Sequence, residues 1–183
     1  MTPPAPARLA ADLAKPLPLS DAAKALLTPT HTPRQFFEAL AAHPPLAEDA
    51  IRFLAAALPK REAVLWGLAC VRSVLPKPSP EAAKALTLAE RWAKEPSEAT
   101  RRACEPAAAA AGHGTPPGCL ADAAFWSGGS LSAPHLPAVP PRDDLTAIAV
   151  ANAILLAAVA DIARALETRT RFVAMGAEIA GRR

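Results

Sequence analysis

The chain reads as all-α: a single globular array of about seven to eight mostly antiparallel helices, with a long Pro/Gly-rich loop before the C-terminal helix. Three observations predict this. The 183 residues are 51% apolar, ample for one core, and much of that content is alanine, which favours helix yet buries little area per residue, so helices must approach closely around a few large side chains. Tyrosine is absent, and β-branched runs that would support strands are few. The 21 prolines divide the chain into blocks of helical length, because proline is tolerated in a helix's first turn but not in its interior. Phe36, Phe37, Phe53, Trp66, Trp92, Phe125, Trp126 and Phe172 are the large residues available to fill the core.

Residues 1–19 hold Pro3, Pro4, Pro6, Pro16 and Pro18 and read as a flexible Pro-rich arm, leaving 20–183 as one helical domain. Ser20 caps a short helix through Leu27. Thr32, Pro33 and Gln35 supply a capping-box start for a helix ending near His43. Pro45 begins another that runs to Leu58, and both are amphipathic, with Phe36, Phe37 and Leu40 on the first and Ile51, Leu54 and Leu58 on the second. Pro59 opens a helix whose stripe of Val64, Leu68, Val71 and Leu75 is widened by Leu65 and Trp66, which places it centrally.

Ser79-Pro80-Glu81 starts the next helix, apolar at Leu86, Leu88 and Trp92. Pro96 restarts the chain into a helix to about Ala111, which Gly112 ends; Glu90/Lys94 and Glu98/Arg102 are exposed i,i+4 pairs on these two. A short helix from about Pro117 to Trp126 leads into the Gly128-Gly129 break. From Asp143 a last helix is expected to run unbroken to the C-terminus. Its segment from Leu145 to Ala160, about 16 residues interrupted by Thr146 and Asn152, is short of the roughly 20 a bilayer span requires. It reads as a central core helix. Helical starts near 33, 45, 60, 79, 96, 117 and 143 are too irregular for a solenoid.

The formal charge of +3 is spread along the chain, which argues against a nucleic-acid partner. Cys70, Cys104 and Cys119 are odd in number and never form C-x-x-C, and the N-terminus lacks the pattern of a secretory signal, so a reducing cytoplasm is expected. Gly112-His113-Gly114-Thr115-Pro116-Pro117-Gly118 has neither the glycine spacing nor the lysine of a phosphate-binding loop. His31, His43, His113 and His135 lie on separate turns without metal-ligand spacing. They read as solvated loop histidines. Ser127-Gly128-Gly129-Ser130 is not the G-x-S-x-G elbow of a hydrolase and reads as a helix stop. No metal, cofactor or catalytic set is therefore expected.

Two features rise above this background. Pro134, Pro137 and Pro140 recur every third residue and would share one face of a polyproline II segment, with Trp126 as anchor or contact residue. Lys60 and Arg61 occupy the first turn of the Trp66 helix, where the macrodipole disfavours cations although Glu62 offsets part of this, which marks either a partner or anion contact or an intramolecular carboxylate. Trp126, Ser127, Gly128, Gly129, Ser130, Pro134, Pro137 and Pro140, with Lys60 and Arg61, are thus the candidate contact residues.

The stretches Ala57-Leu58-Pro59-Lys60-Arg61-Glu62-Ala63-Val64-Leu65-Trp66, Ala89-Glu90-Arg91-Trp92 and, above all, Phe125-Trp126-Ser127-Gly128-Gly129-Ser130-Leu131-Ser132-Ala133-Pro134 resemble an uncharacterised family of small alanine-rich bacterial proteins. These are found near genes of the type VI secretion system, a contractile injection machine. The resemblance runs from about Pro33 to the final helix. It implies a non-catalytic accessory, adaptor or chaperone-like protein whose partners are other proteins, among them secretion-system components. The competing expectation is a small hydrolase or secreted toxin built on Ser130, a loop histidine and a carboxylate. A weaker one is peripheral membrane association through the final helix.

Overall fold

The computed structural model describes residues 9–133 and 135–181. Among these residues run ten α-helices and no strand, and eight of the helices have seven residues or more, so the chain forms the expected all-α array. They are α1 (Ala10–Ala14), α2 (Asp21–Ala25), α3 (Pro33–Ala41), α4 (Ala47–Ala57), α5 (Lys60–Val74), α6 (Pro80–Lys94), α7 (Glu98–Ala111), α8 (Pro116–Phe125), α9 (Leu145–Ala158) and α10 (Ala165–Ala180). Short 3-10 turns, Pro44–Leu46 and Ile162–Arg164, precede α4 and α10.

Most helices start where hydroxyls and prolines direct. Ser20, Thr32, Ser79, Ser97 and Thr115 each accept a hydrogen bond from the backbone N–H three residues on, satisfying a donor that has no partner within the helix. Thr32 and Gln35 close the anticipated capping box. Gly112 ends α7 at φ +88°, a left-handed conformation that glycine adopts without steric cost.

Trp66, Trp92 and the inner face of α9 belong to one continuous core. Its base is the contact of α5 with α10: the Trp66 Nε1–H donates to Phe172 O at 2.9 Å in full burial. Gly176 makes this approach possible, since a Cβ there would lie 2.4 Å from a Leu54 methyl and 2.8 Å from the indole.

Three expectations are corrected. Packing extends N-terminally of residue 20, because Ala10, Ala14 and Leu19 are buried in the core. The most thoroughly buried helix is α8, in which every residue from Pro117 to Phe125 is buried against α5, α6, α7 and α9. Although α9 also packs against four helices, α4, α5, α8 and α10, it leaves a stripe of Ile148, Asn152 and Leu156 turned outward. Finally, the C-terminal helix does not run unbroken. The axes of the two segments meet at 109°, because Asp161 is extended and its carboxylate caps Ala163 N at 3.1 Å. The break lets α10 fold back over α3, α4 and α5. Among the described residues no single helix is long and apolar enough to cross a membrane.

Candidate interaction surface

Residues 126–144 join the end of α8 to α9, and their base is clamped from α7. Arg101 is only 4% exposed because it shares the inward stripe of Cys104 and Ala108. A buried guanidinium must find acceptors for its donors. It donates from Nη1 to Phe125 O at 2.6 Å, from Nη2 to Ser130 O at 3.0 Å, and from Nε and Nη2 to the Glu98 carboxylate, both at 2.7 Å. The Phe125 ring lies 4.9 Å from the guanidinium carbon, within cation–π range. Arg102 reinforces the clamp with its own bond to Ser130 O at 3.0 Å and one to Glu98 at 2.9 Å. Serving both arginines, Glu98 is held down at about 2, first by the Arg101 hydrogen bond and then by Arg102.

Gly129 sits beneath this clamp at φ +64°, where a Cβ would come within 2.9 Å of Arg101 Nη2. Beyond it, the Ser130 Oγ accepts from Ser132 N at 3.1 Å and Val139 N at 3.0 Å. Leu131 N donates to Val139 O at 2.8 Å. Val139 is thus tied back to Ser130 and Leu131. Lys60 holds the loop's near end, donating from Nζ to Ser127 O at 2.9 Å, and lies 3.9 Å from the exposed Asp143 at the far end. Arg61 faces elsewhere and donates to the last carbonyls of α6, Ala93 O at 2.7 Å and Lys94 O at 2.9 Å. Both cations are therefore engaged within the chain, and the negative end of the α6 dipole offsets the unfavourable start of α5.

Trp126 is half-buried and packs against the core, while Ser127 and Gly128 are half-buried beside it and Pro137 and Pro140 are exposed. Pro134 lies outside the described residues. The loop tip turns Leu136, 54% exposed, and Val139, 51% exposed, to solvent. Between tip and α7 opens a groove of about 560 Å³, its walls including Glu98, Arg102, Ser130 and Leu136.

Sequence reasoning named Trp126, Ser130 and Lys60 as parts of two separate features, which the structure joins through the Lys60 bond to Ser127 O, and it missed Arg101, Leu136 and Val139. The missed signal is an arginine in register with apolar residues on a helix stripe, which announces a buried cation with a fixed set of acceptors.

The histidines divide. His113, read as a solvated loop residue, has its Nδ1 bound to both oxygens of the buried Asp122, at 2.9 and 3.1 Å. Burial holds that carboxyl above its ordinary value despite the histidine. His31 accepts from Thr28 N and stacks on Phe36. Among the described residues, no histidine nitrogen is hydrogen-bonded to Ser130, and no group of three or more His, Cys, Asp and Glu is placed to hold a metal. The three cysteines are buried and unpaired. Burial raises the thiols of Cys104 and Cys119 to about 11 and that of Cys70 further still, so they remain thiols near neutrality.

A family model described as Family of unknown function (DUF6931) matches residues 36–180, from α3 to the end of α10 and so including the whole loop. No curated protein and no solved structure matches the chain.

Proposed function

The chain belongs to this family, and we propose that it works without catalysis, as an accessory, adaptor or chaperone-like protein that binds another protein through the 126–141 loop. One observation carries this reading: Leu136 and Val139 are held out to solvent on a loop whose base is pinned by Arg101, Arg102 and Lys60. Apolar side chains on a preordered loop lose little further entropy on binding, whereas the same residues on a slack loop would gain more by folding inward. The groove beside them offers a second wall with a carboxylate and a guanidinium at its rim.

The resemblance of residues 125–134 to proteins encoded beside type VI secretion genes supports a component of that machine as the partner. Unpaired, buried cysteines support a cytoplasmic setting. No cofactor and no nucleic acid enters this reading.

The test is copurification from the native cell with Leu136→Asp/Val139→Asp. Both positions are exposed, so the variant should melt like the parent and lose its partner. Retention of the same partner at parental yield would exclude the loop as the contact surface.

A second reading, peripheral membrane association, is favoured by the exposure of Ile148, Leu156 and Val159 on α9 with Ile162 and Leu166 beyond the break. Cosedimentation with vesicles, abolished by Leu156→Asp but not by the loop variant, would support it.

A further inference from the structure

On another side of the molecule, α4, α9, α10 and the turn before α8 enclose a cleft of about 540 Å³ that shares no lining residue with the loop groove. Its charged wall comprises Glu48 and Arg52 from α4 and Arg169 from α10, and its apolar wall includes Leu156 from α9 and Val159 just beyond its end. Arg52 is committed, donating from Nη2 to Glu48 Oε1 at 2.7 Å. Arg169 is not: its Nη2 stands 3.9 Å from Glu48 Oε2, beyond hydrogen-bond reach. Its Nε–H, moreover, is the single buried side-chain polar atom among the described residues without a hydrogen-bond partner.

A buried donor without an acceptor costs free energy, and one carboxylate between two guanidiniums leaves one positive charge unmatched. The rim adds His113, whose ring is fixed through Nδ1 by Asp122, 3% exposed. Opposite these polar groups, the apolar Leu156 is 40% exposed and Val159 37% exposed.

We propose that this cleft binds a carboxylate carrying an adjoining apolar group, the carboxylate pairing with Arg169 and the apolar part lying on Leu156 and Val159. The Arg169 guanidinium, left without a hydrogen-bonded carboxylate while Glu48 pairs with Arg52, suits a monoanionic group. The planar guanidinium matches a carboxylate in bidentate geometry, and the apolar wall selects against small inorganic anions, which would leave it wet. Two sources supply this chemistry, a free medium-chain fatty acid and the C-terminus of a polypeptide ending in an apolar residue.

Calorimetric titration of the full chain separates them. Octanoate is compared with octanol, and a hexapeptide ending in a leucine carboxylate with its C-terminal amide. Saturable binding of at least one carboxylate, absent for its neutral counterpart, is expected. Octanoate alone binding identifies the fatty acid as the source, and the peptide alone identifies the C-terminus. Arg169→Gln should weaken that binding roughly tenfold or more, and Leu156→Ser, at a half-exposed site where folding is unaffected, should weaken it as well. If neither carboxylate binds at millimolar concentration, or if binding survives Leu156→Ser and a folded Arg169→Gln unchanged, the proposal is overturned. Should Arg169→Gln fail to fold, Leu156→Ser decides alone. The loop variant Leu136→Asp/Val139→Asp should bind the carboxylate normally, so failure of either site is distinguishable from failure of the other.

Discussion

Arg101 shows how one side chain can organise a surface. Its donors satisfy carbonyls from two segments, Phe125 and Ser130, that no helix serves. Arg101→Met keeps the volume but leaves Phe125 O without its donor, while Ser130 O and Glu98 keep only Arg102, which should cost roughly 2 kcal/mol and lower Tm by several degrees. Calorimetry checks the stability, and amide exchange should show residues 126–139 opening first.

The same clamp gives a pH signature. Glu98 lies near 2 in the folded protein against an ordinary 4.5, and Glu90, paired with Arg72 and Lys94, also lies near 2. A carboxyl depressed by folding contributes stability above its unfolded value and loses it as pH falls toward the folded one. Tm should therefore drop between about pH 5 and about pH 2. Asp122, displaced upward by burial, acts in the opposite sense over part of this window. Glu98→Gln should have a lower Tm at neutral pH and a flatter acid profile; equal slopes for variant and parent would refute the linkage. The exposed position of Glu98 keeps the effect modest.

Individual helices show where apolar composition misleads. The segment from Leu145 to Ala158 is apolar nearly all round, which in sequence denotes a helix buried on every side, yet α9 leaves one stripe, Ile148, Asn152 and Leu156, to solvent. Ile154→Asp should unfold the domain, since an unpaired charge in a packed interior costs several kcal/mol of a marginal total. Leu156→Asp should shift Tm little. Similar melting of the two variants would mean that the two faces of α9 are wrongly assigned. Conversely, α8 carries only Leu120 and Phe125 as large residues, so its sequence gives no sign of centrality. Small residues are the reason for its position, because they let four neighbouring helices close around it.

At the scale of the whole molecule, the core draws on segments far apart in the chain. Ala10, Ala14 and Leu19 lie N-terminal to the 36–180 stretch shared with the family, yet α1 packs on α3 and α4. Ser20 ties the next turn to α4 through two bonds to Asp49, 2.7 Å from its N–H and 2.9 Å from its hydroxyl. Deleting residues 1–19 should uncover this part of the core and lower Tm; a truncated protein that melts like the full chain would show that these residues only decorate the domain.

The sequence by itself determined the all-α class, the helix starts at Ser20, Thr32 and Ser79, the Gly112 stop and the core roles of Trp66 and Trp92, because capping and burial of large side chains are set by a residue and its near neighbours. It also marked the Trp126 to Ser130 turn. Only the tertiary structure decided that α8 lies at the centre, that the last helix folds back at Asp161, that Arg101 holds the loop, and that Arg169 and His113 meet in one cleft. Apart from the break itself, which the local Asp161 cap makes, each of these depends on contacts between segments tens of residues apart, where small side chains and the geometry of close approach decide the outcome and local pattern carries no record of it.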